Sequence, residues 1–331
     1  MRGLIIGRFL PLHRGHQYLI DTALTIVSHL TICVRDTPEA TISLATRIAW
    51  LKEMYPEAQI IGMPDLENDL DTEAWASHTQ SFLGFTPDIF FSSETYGDEF
   101  AKILGIRHLM VDQARAAFPV YAAEVRKDPF RYWNYLEPCV RGYFALRIRI
   151  LGAESTGKTT LCQELARCYK TTWVPEYGRE YTERVKKGFS EGMWTSQEFI
   201  HIAREQNRLE DQMARQANRV LLCDTDSLAT AVWHERYMKF WSPVVAQFAS
   251  TQHYDLTLVT GDEIPFVQDG FRDGEGIRHW MTQRFIHLLQ ERGEHFALVE
   301  GSPEERLAFA IQEIQSIVTV SYTHLTLPTK A

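Results

Sequence analysis

The chain has 331 residues, of which 45% are apolar and 23% charged, and this length and composition suit a water-soluble globular protein with two domains of about 150 residues each. Its formal net charge of −9 argues against nucleic acid as the main partner, because neutralising phosphates requires clustered lysine and arginine. No apolar run reaches the roughly 18 residues needed to cross a bilayer, so we expect a cytoplasmic protein with no membrane contact.

Short apolar runs alternate with amphipathic stretches along the whole chain, which is typical of parallel sheets covered by helices. The first half predicts strands over 3–7, 30–35, 58–63, 88–92 and 108–112, and the second half over 147–151, 220–224, 256–260 and 296–300. The predicted fold class is α/β, with two doubly wound parallel-sheet domains. A kinked or two-piece helix is expected around Pro129, because proline interrupts helices.

The boundary between the two domains is predicted near 137–146, where Pro138 and Gly142 precede a new strand. We therefore place the first domain at 1–140 and the second at 141–317. Residues 318–331 contain one charge, repeated threonine and a proline. This final segment is expected to be disordered or not native to the fold.

The first chemical motif is GRFLPLHRGH, which fits the pattern GxFxPxHxGH with Gly7, Phe9, His13, Gly15 and His16. Two histidines three residues apart can bind a metal or simply pack, but no third ligand is spaced nearby. A loop between a strand and a helix favours anion binding, since the helix N-terminus carries partial positive charge. Imidazole N–H groups that align phosphates suit nucleotidyl transfer, which needs no strong base.

The second motif is GAESTGKT, which matches the P-loop pattern GxxxxGK[ST] between a strand and a helix. Backbone N–H groups of such a loop surround phosphates, Lys158 reaches the β and γ phosphates, and Thr159 binds Mg²⁺. ATP and Mg²⁺ are therefore the predicted cofactors. The predicted ATP-binding residues are Gly152, Glu154, Ser155, Thr156, Gly157, Lys158, Thr159 and Thr160.

Carboxylates follow the predicted strand 220–224 and a further short strand before Glu176, and they could hold Mg²⁺ or accept a proton from a substrate hydroxyl. Asp224 and Asp226 end one strand, and Glu176 follows another with Arg179 nearby. Asp224 is the predicted base and metal ligand, with Glu176 or Asp226 as alternatives. Acidic residues at strand ends also serve as helix caps, and that alternative stays open for Asp226.

A glycine-rich polar stretch, VQDGFRDGEG, contains Arg272. Such a stretch suits a mobile lid that closes an arginine over the transferring phosphoryl group. A plain surface position is the alternative for this arginine.

Together, these motifs and the stretches FSSE, VDQAR and VRKDPFRYW resemble the bifunctional NadR-type family, in which nicotinamide mononucleotide (NMN) adenylyltransferase is joined to ribosylnicotinamide kinase. The resemblance implies an N-terminal HxGH nucleotidyltransferase domain with a Rossmann-like fold and a C-terminal P-loop kinase. The implied reactions are phosphorylation of ribosylnicotinamide to NMN, then adenylylation of NMN to NAD and pyrophosphate. The implied partners are these small molecules and ATP, with a homo-oligomer left open.

The resemblance also implies roles for individual residues. His13 and His16 contact ATP phosphates, Arg126 binds phosphate, and Trp75 stacks on the cationic nicotinamide ring. In the kinase, the implied substrate-binding residues are Glu176, Tyr177, Arg179 and Asp226.

The chain departs from the family at VYAAEVR, where the family pattern [IV]SxTxxR has two small hydroxyl residues and this chain has Tyr121 and Ala123. Losing one oriented donor can cost about 10²- to 10³-fold in rate. An active kinase with a degenerate, nucleotide-sensing N-terminal domain is therefore the main alternative function. A transcriptional regulator is disfavoured because the chain starts on its first strand, and a flavin or pantetheine pathway stays open.

Overall fold

The computed structural model describes residues 1–37, 40–66, 71–186, 194–270, 272 and 274–324. The chain divides into two compact units, Met1–Val140 and Arg141–Ala331. In the described part of the chain, no helix is both long and apolar enough to span a membrane.

The first unit contains a parallel sheet of five strands in the order β3-β2-β1-β4-β5. The strands are β1 (Arg2–Gly7), β2 (His29–Asp36), β3 (Gln59–Pro64), β4 (Ile89–Ser92) and β5 (Arg107–Met110). The helices are α1 (Arg14–Ile26), α2 (Leu44–Met54), α3 (Thr72–Leu83), α4 (Gly97–Leu104) and α5 (Ala122–Lys127), and α6 (Pro138–Phe144) contains the boundary between the units. Ligands of such sheets bind where the strand order reverses, which here is beside β1.

The second unit contains another parallel sheet of five strands, in the order β10-β9-β6-β8-β7. The strands are β6 (Leu146–Leu151), β7 (Trp173–Val174), β8 (Val220–Asp224), β9 (Leu256–Thr260) and β10 (Phe296–Val299). The helices are α7 (Lys158–Tyr169), α8 (Tyr177–Tyr181), α9 (Ser196–Ala214), α10 (Ser227–Met238), α11 (Pro243–Ala249), α12 (Arg278–Glu291) and α13 (Pro303–His324). The strand order reverses beside β6, so the loop after β6 lies at the switch point.

Apolar side chains from the strands and the covering helices form a separate core in each unit. In the first unit Leu4, Cys33 and Phe90 are fully buried, and in the second unit Ile148 and Leu222 are. Strands buried on both faces read as continuous apolar runs, which is why the nine predicted strands are confirmed at positions within a residue or two.

Two predictions outside the strands can be compared with the structure. The helix expected around Pro129 is split, because α5 ends at Lys127 and a 3₁₀ turn follows at Trp133–Tyr135. The tail predicted from residue 318 overlaps α13, whose helix continues to His324. The rest of that predicted tail, residues 325–331, lies outside the described residues.

Candidate active sites

The P-loop after β6 has the backbone that its glycines require. Gly152 has φ +154° and Gly157 has φ +82°, a region that side chains disfavour. A Cβ at Gly152 would overlap Oγ1 of Thr260 and lie 2.9 Å from Oγ1 of Thr156. The loop therefore folds tightly against the end of β9, and α7 begins directly after it at Lys158.

The lysine of the loop and a distant arginine fix the P-loop from two sides. Lys158 Nζ donates to the carbonyl of Ala153 at 2.7 Å. Arg306 of α13 donates from Nη1 to the carbonyl of Thr156 at 2.7 Å and from Nη2 to the carbonyl of Gly261 at 3.3 Å. The conformation of this loop therefore depends on a residue from the last helix of the described chain.

Two carboxylates lie close to the P-loop, and their surroundings differ. Oδ2 of Asp224 accepts a hydrogen bond from Oγ1 of Thr159 at 2.5 Å, and Oδ1 is buried without a hydrogen-bond partner among the described residues. Glu176 lines the cavity in front of the P-loop. Burial raises the pKa of both carboxyl groups, that of Glu176 to about 7, although the positive charge of Lys158 opposes the shift.

These surroundings separate the roles that the sequence left open. Asp224 and Thr159 present adjacent oxygens at the end of β8 and the start of α7, and the unpartnered oxygen of Asp224 fits a cation site. Glu176 faces the cavity with a pKa near neutral, as a general base requires. The geometry therefore favours Glu176 as the base, where the sequence favours Asp224.

Asp226 has a structural position rather than the substrate-binding position predicted for it. It is fully buried, and its Oδ1 caps α10 by accepting from the backbone N–H of Ala229 at 2.9 Å. Its Oδ2 accepts from Nη1 of Arg149 at 2.6 Å. Arg149 is also fully buried and additionally pairs with Glu294. The helix-cap alternative therefore describes Asp226, because both carboxylate oxygens already have partners inside the protein.

The described residues of the predicted lid, 267–270, 272 and 274–276, contact the P-loop, and residues 271 and 273 lie outside the described part of the chain. Arg272 lines the cavity and donates from Nη1 to Oγ of Ser155 at 3.3 Å, and the backbone N–H of Val267 donates to the same Oγ at 2.8 Å. Oε2 of Glu154 accepts from the backbone N–H of Gly274 at 2.7 Å. Two side chains of the P-loop thus hold this segment, and Arg272 lines the cavity beside the loop that is predicted to bind phosphates.

Aromatic side chains form a wall of the same cavity, and the sequence did not predict them. The ring centroid of Trp194 lies 5.0 Å from that of Phe199 and 5.6 Å from that of Tyr237, whose ring lies 5.9 Å from that of Trp233. All four residues line the cavity together with Arg179. Tyr177, predicted to bind substrate, instead makes a 3.1 Å hydrogen bond to His201 outside the lining.

In the first unit, the HxGH loop turns directly into α1. His13 is buried and caps α1, and its Nδ1 accepts from the backbone N–H of Gly15 at 3.1 Å. A Cβ at Gly15 would come within 3.1 Å of the ring of His13, so a side chain here would crowd that imidazole. The two imidazole rings stack with centroids 3.8 Å apart.

The electrostatics of the two histidines keep them neutral. Burial, aided by the charge of Arg115, lowers the pKa of His13 to about 3 and that of His16 well below its usual value. Because Nδ1 of His13 is an acceptor, its Nε2 carries the proton and can donate. Nδ1 of His16 is buried without a hydrogen-bond partner among the residues that are described, and His16 lines a cavity beside β1.

Positive charge in this cavity comes from three arginines that were not predicted as site residues: Arg8, Arg35 and Arg115 line it together with Gly7 and Phe9. Arg115 is the last residue of the stretch VDQAR, which contributes to the family resemblance. Arginines around a strand-to-helix loop favour a phosphorylated ligand.

Two residues predicted for this site are occupied by protein contacts. Trp75 is buried, and the guanidinium of Arg35 lies 4.2 Å from the centre of its ring, where the nicotinamide was expected. Arg126 donates to the carbonyl of Leu10 in the HxGH loop, so it supports that loop. Neither Trp75 nor Arg126 is part of the lining of this cavity.

Tyr121 shows how the departure at VYAAEVR is accommodated. It precedes α5 without a side-chain capping bond, and the guanidinium of Arg115 lies 4.5 Å from the centre of its ring. The tyrosine therefore contacts a cavity arginine by a cation–π interaction where the family pattern has a small hydroxyl residue.

Comparisons with known proteins agree with both units. A protein-family profile described as "AAA domain" matches residues 147–306, which include the P-loop. The trifunctional NAD biosynthesis/regulator proteins NadR of Escherichia coli (strain K12) and Salmonella typhimurium (strain LT2) are each 29% identical over 324 residues, covering 90% of this chain and 78% of the relative.

Two solved structures share the fold of the whole chain. A NadR protein in complex with NR has a TM-score of 0.80 at 22% identity, and a NadR protein in complex with NAD and AMP-PNP has a TM-score of 0.77 at 20% identity. Each likeness covers 96% of both chains. These likenesses confirm the predicted fold class of two parallel-sheet α/β domains.

Proposed function

Since this chain is a NadR-type protein, we propose that it carries out two ATP-dependent steps of NAD salvage, phosphorylating ribosylnicotinamide to NMN and adenylylating NMN to NAD. One observation carries the kinase step: a single cavity joins a P-loop, a carboxyl group with a pKa of about 7 and a wall of aromatic rings. Aromatic rings favour a flat cationic base such as nicotinamide, and the carboxyl group suits activation of a ribose hydroxyl.

In the kinase step, Glu176 accepts the proton of the ribose hydroxyl while the hydroxyl oxygen attacks the γ-phosphorus of ATP and ADP leaves. Lys158 and the backbone of the P-loop hold the phosphates, and Arg272 compensates charge on the transferring group. Thr159 and Asp224 would hold Mg²⁺, which neutralises charge on the phosphates when bound. The aromatic wall positions the riboside so that its hydroxyl faces Glu176.

In the adenylyl-transfer step, the phosphate of NMN attacks the α-phosphorus of ATP and pyrophosphate leaves. The nucleophile is already ionised, so the site needs donors that align the phosphates rather than a base. Arg8 and Arg115 offer positive charge at the cavity. His13, which is buried beside the cavity lining and stacks on His16, has a neutral Nε2–H donor that would have to reach the phosphates from behind. His16, in the first turn of α1, lines the same cavity as these arginines.

The alternative function is a ribosylnicotinamide kinase whose first unit senses nucleotides without reacting. It is motivated by Tyr121 and Ala123, which replace two hydroxyl donors, and by the occupied positions of Trp75 and Arg126.

The test is to incubate the full chain with ribosylnicotinamide, excess ATP and Mg²⁺ and to identify the products by mass spectrometry. Formation of NAD supports both steps. Accumulation of NMN without NAD supports the sensing alternative, and a separate incubation with NMN and ATP checks this. If the first incubation yields neither NMN nor NAD and the second yields no NAD, the proposal is contradicted.

A further inference from the structure

In the first unit, Ser92, His108 and Asp98 form a chain of hydrogen bonds that ends at the cavity and that the proposed reaction does not use. Oγ of Ser92 lies 3.0 Å from Nε2 of His108, and Nδ1 of that imidazole lies 2.7 Å from Oδ1 of Asp98. Ser92 ends β4, is 4% exposed, and lines the same cavity as His16. Asp98 lies at the far end of the chain, on the exposed face of α4.

The bonding pattern assigns the direction of each hydrogen bond. A carboxylate only accepts, so Nδ1 of His108 carries a proton that it donates to Asp98. In a neutral imidazole Nε2 is then an acceptor, and the hydroxyl of Ser92 donates to it. The carbonyl of Glu94 also lies within hydrogen-bond distance of Oγ, at 3.2 Å, and competes with Nε2 of His108 for the hydroxyl proton.

With its proton directed to His108, the oxygen of Ser92 keeps two acceptor positions. The backbone N–H of Glu94, 3.3 Å away, takes one of them, and the other is left for a ligand in the cavity.

We propose that Asp98 and His108 are positioning residues that fix the hydroxyl of Ser92 as a hydrogen-bond acceptor for an N–H or O–H group of a bound nucleotide. The identity of that nucleotide, NMN or ATP, rests on the proposed adenylyl transfer.

Gly97 supports this proposal by leaving room for the bond between imidazole and hydroxyl. A Cβ at Gly97 would overlap Nε2 of His108 and lie 2.5 Å from Oγ of Ser92. A side chain at this position would push the two groups apart. The absence of a side chain at Gly97, the first residue of α4, therefore allows His108 and Ser92 to stay within hydrogen-bond distance.

The kinetic test compares Ser92→Ala and Asp98→Ala with the control Glu99→Ala, measuring NAD formation from NMN and ATP. Glu99 is the other acidic residue in the first turn of α4 and is also exposed, so its removal costs the helix a similar charge. We expect Ser92→Ala to raise KM for one nucleotide about tenfold and Asp98→Ala to raise the same KM about three- to fivefold, with kcat changed less than twofold. A change in KM alone is the signature of lost uniform binding.

Ser92→Thr, which keeps the hydroxyl, is expected to restore the KM of the wild type. An Asp98→Ala variant whose KM values match those of Glu99→Ala would overturn the proposal.

A spectroscopic test measures the tautomer of His108 directly, so it also applies if the chain forms no NAD. Failure to form NAD would contradict the proposed adenylyl transfer, but it would not contradict this inference. In ¹⁵N NMR spectra, with the signal assigned by its loss in His108→Gln, the imidazole is expected in the Nδ1–H tautomer. Addition of NMN or ATP should shift this signal in the wild type and not in Ser92→Ala. An Nε2–H tautomer, or a signal that neither nucleotide shifts, would overturn the inference.

Discussion

Replacing Glu176 with glutamine should lower kinase activity and raise stability at the same time, because this carboxyl group is held in a site that disfavours its charge. Burial raises its pKa from 4.5 to about 7. The proposed base must be ionised to accept a proton, so the ionised form is needed for catalysis and disfavoured by folding. Glutamine keeps the shape of the side chain, but it cannot accept the proton and it carries no charge that burial would disfavour.

The sign of the stability effect follows from the direction of the shift. Between pH 4.5 and about 7 the unfolded chain has lost this proton and the folded chain retains it, so stability falls as pH rises. Above pH 7 the full shift applies, and it corresponds to at most about 3 kcal/mol. Glu176→Gln avoids this loss, so it should be more stable than the wild type at pH 8 and equally stable at pH 4.

The same shift sets the activity profile. At pH 6 about one tenth of Glu176 is ionised if its pKa is about 7, so kcat/KM for phosphorylation should fall about tenfold per pH unit below pH 7. Glu176→Gln should lose about 10²- to 10⁴-fold in kcat, the usual contribution of a general base. What activity remains should no longer show this pH dependence.

The assay combines initial rates of NMN formation with denaturant unfolding at pH 4 and pH 8. Glu180→Gln is the matched control, since Glu180 lies on the same helix, α8, pairs with Arg184 at 2.7 Å and has 43% of its side chain exposed. Glu180→Gln should change neither the rate of NMN formation nor the free energy of unfolding. If Glu176→Gln retains activity within threefold of the wild type, the base is a different group, and Asp224→Asn becomes the decisive variant.

Three further predictions concern other parts of the chain. Lys158→Met should abolish phosphorylation of ribosylnicotinamide and spare adenylylation of NMN, and His16→Ala should do the reverse, as separate rate measurements on the two reactions would show. Arg149→Met should destabilise the second unit by about 3–5 kcal/mol in denaturant unfolding, because Asp226 loses its buried partner; unchanged unfolding would refute this. Gly152→Ala should weaken ATP binding by the second unit at least tenfold in titration calorimetry, because its Cβ has no room, and unaltered affinity would contradict the close contact.

The strands and the two phosphate loops could be predicted because their signals are local. A buried parallel strand is a continuous apolar run, and Gly152 and Lys158 belong to a pattern that needs only eight consecutive residues. The same holds for His13 and His16, which belong to a pattern of ten consecutive residues that begins at Gly7, the last residue of β1.

The aromatic wall and the role of Asp226 could not be predicted because they depend on packing between distant elements. Trp233 and Tyr237 lie one turn apart on α10, but Trp194 precedes α9, and only tertiary structure brings the three together. Asp224 and Asp226 are equivalent in sequence, both polar residues at the end of an apolar strand. Arg149, whose partner distinguishes them, is hidden inside β6.

The contact between Arg306 and the P-loop has a consequence for synthesis of the chain. The hydrogen bond that holds the carbonyl of Thr156 spans 150 residues of sequence, so it cannot form until α13 has left the ribosome. The HxGH loop obtains its partners from residues that are translated much earlier, such as Arg126. A nascent chain can therefore form the contact between Arg126 and the HxGH loop while the contact between Arg306 and the P-loop is still missing.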